Sequence, residues 1–131
     1  MVDVYNTSLT KSVATPMSYE RCLHTATSID NYAIIAGGAT YVDSSYDYTD
    51  TVDAYNTSLT KTILTPLEEE THSQMATSVG NYALFAGGLF SNRRVYVYDQ
   101  SLVRTRSTDL SIASTYGKAT SIGNYALFSG G

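Results

Sequence analysis

The apolar and polar positions of this chain fall into short runs that return at intervals. Tyr82 to Ala86 reads YALFA and Tyr32 to Ala36 reads YAIIA, apolar on both alternating faces. A strand with one wet face alternates apolar with polar residues, whereas a strand apolar throughout is covered on both sides. Before each run stands a Thr-Ser-Ile or Thr-Ser-Val stretch, joined to it by Asp30-Asn31, Gly80-Asn81 or Gly123-Asn124. Such pairs accept the positive φ of a tight hairpin. A third run, Val52 to Tyr55, turns through Asn-Thr-Ser into a fourth, Thr60 to Leu64, which Thr65-Pro66 closes. The side chains of Asn, Thr and Ser bond their own backbone at such corners. The pattern predicts an all-β chain with four short antiparallel strands per unit.

Comparing the chain with itself gives the period. ATSIDNYAIIAGG, Ala26 to Gly38, recurs as ATSVGNYALFAGG, Ala76 to Gly88, and as ATSIGNYALFSGG, Ala119 to Gly131. VDVYNTSLTK begins at Val2, VDAYNTSLTK at Val52 and VYVYDQSLVR at Val95. In every copy 24 residues separate that first valine from the alanine of the following ATS module, while the period falls from 50 to 43. All length variation therefore follows the Gly-Gly pair. The repeats run approximately 2–51, 52–94 and 95–131 within a single unit, 1–131. Gly37-Gly38, Gly87-Gly88 and Gly130-Gly131 are read as structural, leaving no side chain where another backbone comes close. Four-stranded sheets buried on both faces and stacked unit against unit make a β-propeller.

These residues resemble the Kelch motif: an apolar strand ending in Gly-Gly, a Val-x-Val-Tyr strand, then Thr-Pro-Met or Thr-Pro-Leu before the next unit. In the first copy, Pro16, Met17, Arg21 and His24 stand where Kelch repeats often carry Pro-Met, Arg and His. The tryptophan usual after the third strand is absent, and Leu9, Leu59 and Leu102 are the nearest apolar residues. The resemblance covers the whole chain and implies a β-propeller of four-stranded antiparallel blades. It also leaves enzymes open as an alternative, because copper oxidases and sialic-acid mutarotases occur in the family.

The chain starts on the third and fourth strands of a unit and ends on the first and second. Three blades are too few to close a ring, and an open arc bares apolar faces and unpaired edges. The expectation is a half-propeller that forms a homodimer closing a six-bladed ring, or a fragment of a longer repeat protein whose other blades lie in cis.

Composition narrows the function classes. The 131 residues are 43% hydrophobic and carry a net charge of −4, without the basic footprint of a nucleic-acid binder. MVDVYNTSLTK has no signal-peptide pattern and no run approaches a membrane helix, so the default compartment is the cytoplasm. The single cysteine, Cys22, gives neither an intrachain disulfide nor a CxxC pair.

Candidate function lies where the copies differ. Positions 2–16 and 52–66 agree at 11 of 15 residues, whereas MSYERCLHT and LEEETHSQM agree only at Glu20 and Glu70, and the third copy reads LSIASTYGK. These segments share one face with the variable connections ATYVDSSYDYTDT and LFSNRR. Of the twelve tyrosines, Tyr5, Tyr32, Tyr55, Tyr82, Tyr98 and Tyr125 recur and read as packing. Tyr19, Tyr41, Tyr46, Tyr48 and Tyr116 fall on the variable face, a composition suited to recognition. With Arg21, His24, Asp43, Asp47, His72, Arg93 and Arg94 they form the candidate partner surface. Asp43, Asp47 and Asp50 lack the order of a calcium loop, and Cys22, His24 and His72 lack a fourth ligand. Glu68 to Glu70 reads as a wet loop, and Asn6-Thr7-Ser8 as a structural turn although it matches a glycosylation sequon. No GxSxG, HExxH or phosphate loop is present. The reading is a non-catalytic binding scaffold without metal or cofactor. It recognises protein through the tyrosine-rich face, with carbohydrate binding as the alternative and a small-molecule enzyme as a third.

Overall fold

The computed structural model describes residues 1–130, in which every regular element is a β-strand. In chain order these are β1 (Val2–Tyr5), β2 (Lys11–Ala14), β3 (Thr25–Ile29), β4 (Tyr32–Ala36), β5 (Ala39–Val42), β6 (Ser45–Tyr48) and β7 (Val52–Asn56). There follow β8 (Lys61–Ile63), β9 (Met75–Val79), β10 (Tyr82–Ala86), β11 (Val95–Tyr98), β12 (Arg104–Arg106), β13 (Lys118–Ile122) and β14 (Tyr125–Ser129). Among the described residues no helix is long and apolar enough to cross a membrane. Gly131 lies outside the described residues.

Two antiparallel four-stranded sheets, β3-β4-β7-β8 and β9-β10-β11-β12, are flanked by the two-stranded sheets β1-β2 and β13-β14. The architecture is β-propeller-like. The first strands converge, β3 on β9 and β9 on β13, whereas β8 and β12 meet chiefly their own third strands. Each complete sheet joins the first and second strands of one copy to the third and fourth of the next, so a two-stranded sheet remains at each end.

Local chemistry sets the turns. Ile29 pairs with Tyr32 across Asp30-Asn31, and the positive φ falls on the first turn residue, +32° at Asp30 and +53° at Gly80 and Gly123. At the third-to-fourth-strand corners the Oδ1 of Asn6 accepts the amides of Ser8 (3.0 Å) and Thr10 (2.9 Å), and Asn56 and Asp99 repeat the pattern. These bonds hold Leu9, Leu59 and Leu102 in the left-handed region at φ of 59–62°. Leu102 packs against the core, but Leu9 is exposed and takes no tryptophan-like role. The connection after β4, which reads as a loop, instead folds Ala39 to Tyr48 into a hairpin. Asp43 and Ser44 at its tip both have positive φ, the conformation a two-residue hairpin demands.

The core lies between the two complete sheets. Ile34 and Phe85 from the second strands meet Val52, Ala54, Tyr96 and Tyr98 from the third, all at most 1% exposed. Phe85 and Tyr98 contact edge to face at 5.9 Å. Tyr55 donates its hydroxyl to the Thr15 carbonyl at 2.8 Å, and Tyr98 donates to Thr65 at 2.6 Å. Each bond runs from a third strand to the end of the preceding sheet. Burial raises the pKa of both tyrosines, keeping them protonated as donors. Not every recurring tyrosine packs this way: Tyr82 opens the second strand at the hairpin exit and is 51% exposed.

Gly37 has φ +63°, and a Cβ there would lie 2.7 Å from the Thr71 carbonyl oxygen of the following repeat. Gly80 has φ +53° with open space around it. Gly80→Ala is expected to lower stability by about 1 kcal/mol, the cost of left-handed backbone alone. Gly37→Ala is expected to cost more, because a backbone must also move. Urea unfolding midpoints of the two variants, compared at equal m-value, check the order.

Candidate functional site

The segments between sheets, 15–24, 64–74 and 107–117, and the second-to-third-strand connections, 37–51 and 87–94, are knitted into one surface. The Gly38 amide donates to Thr71 O at 2.8 Å and the Gly88 amide to Ser114 O at 2.8 Å. Thr115 Oγ1 donates to Gly88 O at 2.7 Å, and Cys22 and Ala39 exchange a pair of 2.8 Å bonds. Leu23, Ser73 and Tyr116 occupy equivalent positions in the three copies, each left-handed at φ +56°, +56° and +61°. The Ser73 amide donates to Leu23 O (2.8 Å) and the Tyr116 amide to Ser73 O (3.2 Å). This belt links successive repeats and repays part of the strain of non-glycine left-handed residues.

On that frame four rings from remote segments come together. Tyr48, at the end of β6, lies 4.8 Å from His72 and 6.1 Å from Phe90, and His72 lies 6.4 Å from Tyr116. His72 is buried among them while Phe90 and Tyr116 are exposed. His72 Nδ1 lies 2.7 Å from Ser73 Oγ, which fixes the ring. Burial lowers the His72 pKa below 6.5, so the ring is neutral near pH 7. His24 is lowered as well, by burial and then by the charge of Arg21. Tyr41 and Tyr46 face each other across the β5–β6 hairpin at 5.0 Å, both exposed, with Asp43 at the tip and Asp47 paired with Thr40 at the next position, on the other face.

Of the residues read from the sequence, Tyr48, His72 and Tyr116 therefore form one cluster, and Tyr41, Asp43, Tyr46 and Asp47 form a neighbouring hairpin. Tyr19 and His24 are exposed near β1, apart from the cluster. Arg21 is a correction: its side chain is fully buried and ion-paired with the equally buried Asp53 at 3.2 Å, so it holds the core rather than a partner. Asp53 also accepts the Ser18 amide (3.0 Å) and hydroxyl (2.5 Å). Arg94 is another, since Glu69 and Glu68 occupy its guanidinium; Arg93 stays exposed, donating to Ser111 O at 3.4 Å. Nor is Glu68 merely wet, because Arg94, Arg104 and Arg106 gather around it. Phe90 joins the cluster although tyrosine content does not point to it; the sequence marks it only as an apolar residue in a variable connection. Among the described residues no three His, Cys, Asp or Glu side chains converge as a metal site.

No family model and no curated protein match the chain. Among solved structures it is similar to YjhT, with a TM-score of 0.72 at 14% identity over 93% of this chain. The likeness is one of fold, and this chain spans 42% of the YjhT chain's length.

Two outcomes follow from the buried groups. Arg21→Met, which strands the Asp53 carboxylate, is expected to cost about 3–5 kcal/mol, and adding Asp53→Val to it should recover a large part. Chemical unfolding of the single and double variants measures both. The folded chain favours neutral His72, whereas an unfolded histidine titrates near 6.5. Stability is thus full above that pH and falls as the pH drops below it, with His24 acting in the same direction. The unfolding midpoint should be lower at about pH 5.5 than at about pH 7.5, and His72→Gln should shrink the difference.

Proposed function

We propose that this chain is a Kelch-like half-propeller acting as a non-catalytic binding scaffold, closing with a second copy into a six-bladed ring and presenting its variable face to a protein partner. One observation carries the binding role. Tyr48, His72, Phe90 and Tyr116 meet although they come from segments that differ between copies. Packing explains repeat-invariant residues, but it does not require exposed rings at positions that vary. Phe90 and Tyr116 supply rigid apolar area at low entropic cost, and Tyr48 over the fixed His72 ring is pre-organised, the combination that anchors peptide partners.

A carbohydrate reading has its own support in the β5–β6 hairpin. Exposed Tyr41 and Tyr46 offer ring area on one face of a hairpin whose tip carries the Asp43 carboxylate, an acceptor for hydroxyl hydrogen bonds.

A displayed peptide library and a glycan array separate the two. Selected peptides are expected to lose at least about tenfold affinity on Tyr48→Ala or Tyr116→Ala. They should be indifferent to Tyr82→Ala, at the far end of its strand. Glycan binding lost on Tyr41→Ala, without peptide selection, would replace the protein reading with the carbohydrate one.

A further inference from the structure

The two halves of a blade stand unjoined at opposite ends of this chain. In both complete sheets the second strand pairs with the third, β4 with β7 and β10 with β11, yet among the described residues β14 and β1 are free edges. Two contacts that recur between sheets, and a third that is made once, break off at these ends. The tyrosine-to-threonine bonds Tyr55–Thr15 and Tyr98–Thr65 leave Tyr5, 63% exposed, and the Thr108 carbonyl as the third equivalent pair. The belt through Leu23, Ser73 and Tyr116 stops at the Leu23 amide and the Tyr116 carbonyl. Asp53 accepts the Ser18 amide and hydroxyl, whereas the equivalent Asp3 is half-exposed beside Lys11 (3.3 Å) and the equivalent Ser111 lies at the other end of the chain.

Cavities mark the same two places. One of about 480 Å³ beside β14 is lined by Leu110, Ser111, Ile112, Ser114 and Phe128. Another of about 420 Å³ beside β1 is lined by Val2, Met17, Arg21 and Ile35, and the Nε and Nη1 of Arg21 lack hydrogen-bond partners among the described residues.

Resting on the half-ring reading above, we infer that the occupant of both ends is a second copy of this chain, with β14 of each protomer pairing antiparallel to β1 of the other. Donor and acceptor edges belong to the same sequence in matching phase. YjhT, whose fold this chain covers to 42%, is long enough to hold two such units. Ile34 opposite Ala54 and Leu84 opposite Val97 set the register, placing Leu127 opposite Val4 of the partner subunit and Phe128 opposite Asp3 of the partner subunit. Asp3 then leaves Lys11 to accept from Ser111 of the partner subunit. Tyr5 donates to the Thr108 carbonyl of the partner subunit, and the Leu23 amide completes the belt on Tyr116 of the partner subunit. The closed assembly carries two copies of the aromatic cluster, related by the two-fold axis along the channel, so a ring offers two equal sites.

Sedimentation equilibrium of the 131-residue chain tests the stoichiometry, and thiol cross-linking tests the register. A dimer is expected, with Tyr5→Phe raising its dissociation constant at least about tenfold, since two symmetric bonds are lost. In a Cys22→Ser background, Val4→Cys with Leu127→Cys should cross-link between protomers under oxidation or with a short bifunctional thiol reagent. Val4→Cys with Phe128→Cys, which puts the two thiols on opposite faces, should not. A monomer, or any assembly other than a dimer, overturns the second copy as occupant and gives the edges to strands of another chain or of a longer polypeptide. A dimer that cross-links equally in both pairs overturns the register. Neither readout depends on peptide or glycan binding, so failure of the binding role leaves these results unaltered.

Discussion

The core of this fold depends on each four-stranded sheet having both faces covered by a neighbouring sheet. Ile29 on β3 is 2% exposed, while the equivalent Ile122 on β13 is 69% exposed. Tyr55 is 5% exposed, and the equivalent Tyr5 is 63%. The residue types and local backbone are the same, so the difference comes from neighbours alone. Burial of a large apolar side chain contributes about 1.5–3 kcal/mol, and bare terminal sheets forgo it. The four-stranded sheet is thus a unit that cannot complete its own core, as in other repeat architectures.

Hydrogen bonds turn that stacking into a fixed geometry. The tyrosine hydroxyls on threonine carbonyls tie each third strand to the sheet before it, and the belt at positions 23, 73 and 116 ties the loop face together. The glycine at position 37 lets the backbone of the next repeat come close enough for these bonds to form. A rigid frame of this kind allows the segments between sheets to vary without loss of fold. It brings Tyr48, His72, Phe90 and Tyr116 from four separate stretches of chain to within ring contact.

Strands, turns and the phase of the sheets are legible because they rest on local rules repeated three times: apolar runs, Asn or Asp corners and Gly-Gly ends. The hairpin Ala39 to Tyr48 is not, since it occurs in one copy and repetition offers no support, although its strands and its Asp43-Ser44 tip follow ordinary turn chemistry. Arg21 reads as a face residue because a lone arginine in a variable segment is usually exposed. Its partner Asp53 sits 32 residues away in a strand otherwise read as packing, and only the sheet brings them together. Arg94 and Glu68 read as solvated charges for the same reason: a charge taken singly gives no sign of the partner that the fold brings to it.

The sequence by itself determined the repeating unit, its four strands, its phase along the chain and the division between a uniform and a variable face. Each of these is set by backbone preference and side-chain polarity within a few residues. Tertiary structure alone decided which variable residues share a site, which charged groups are buried in pairs, and which copies of an identical residue remain bare. Those outcomes depend on what packs beside a residue, and in a stacked repeat that neighbour comes from another unit.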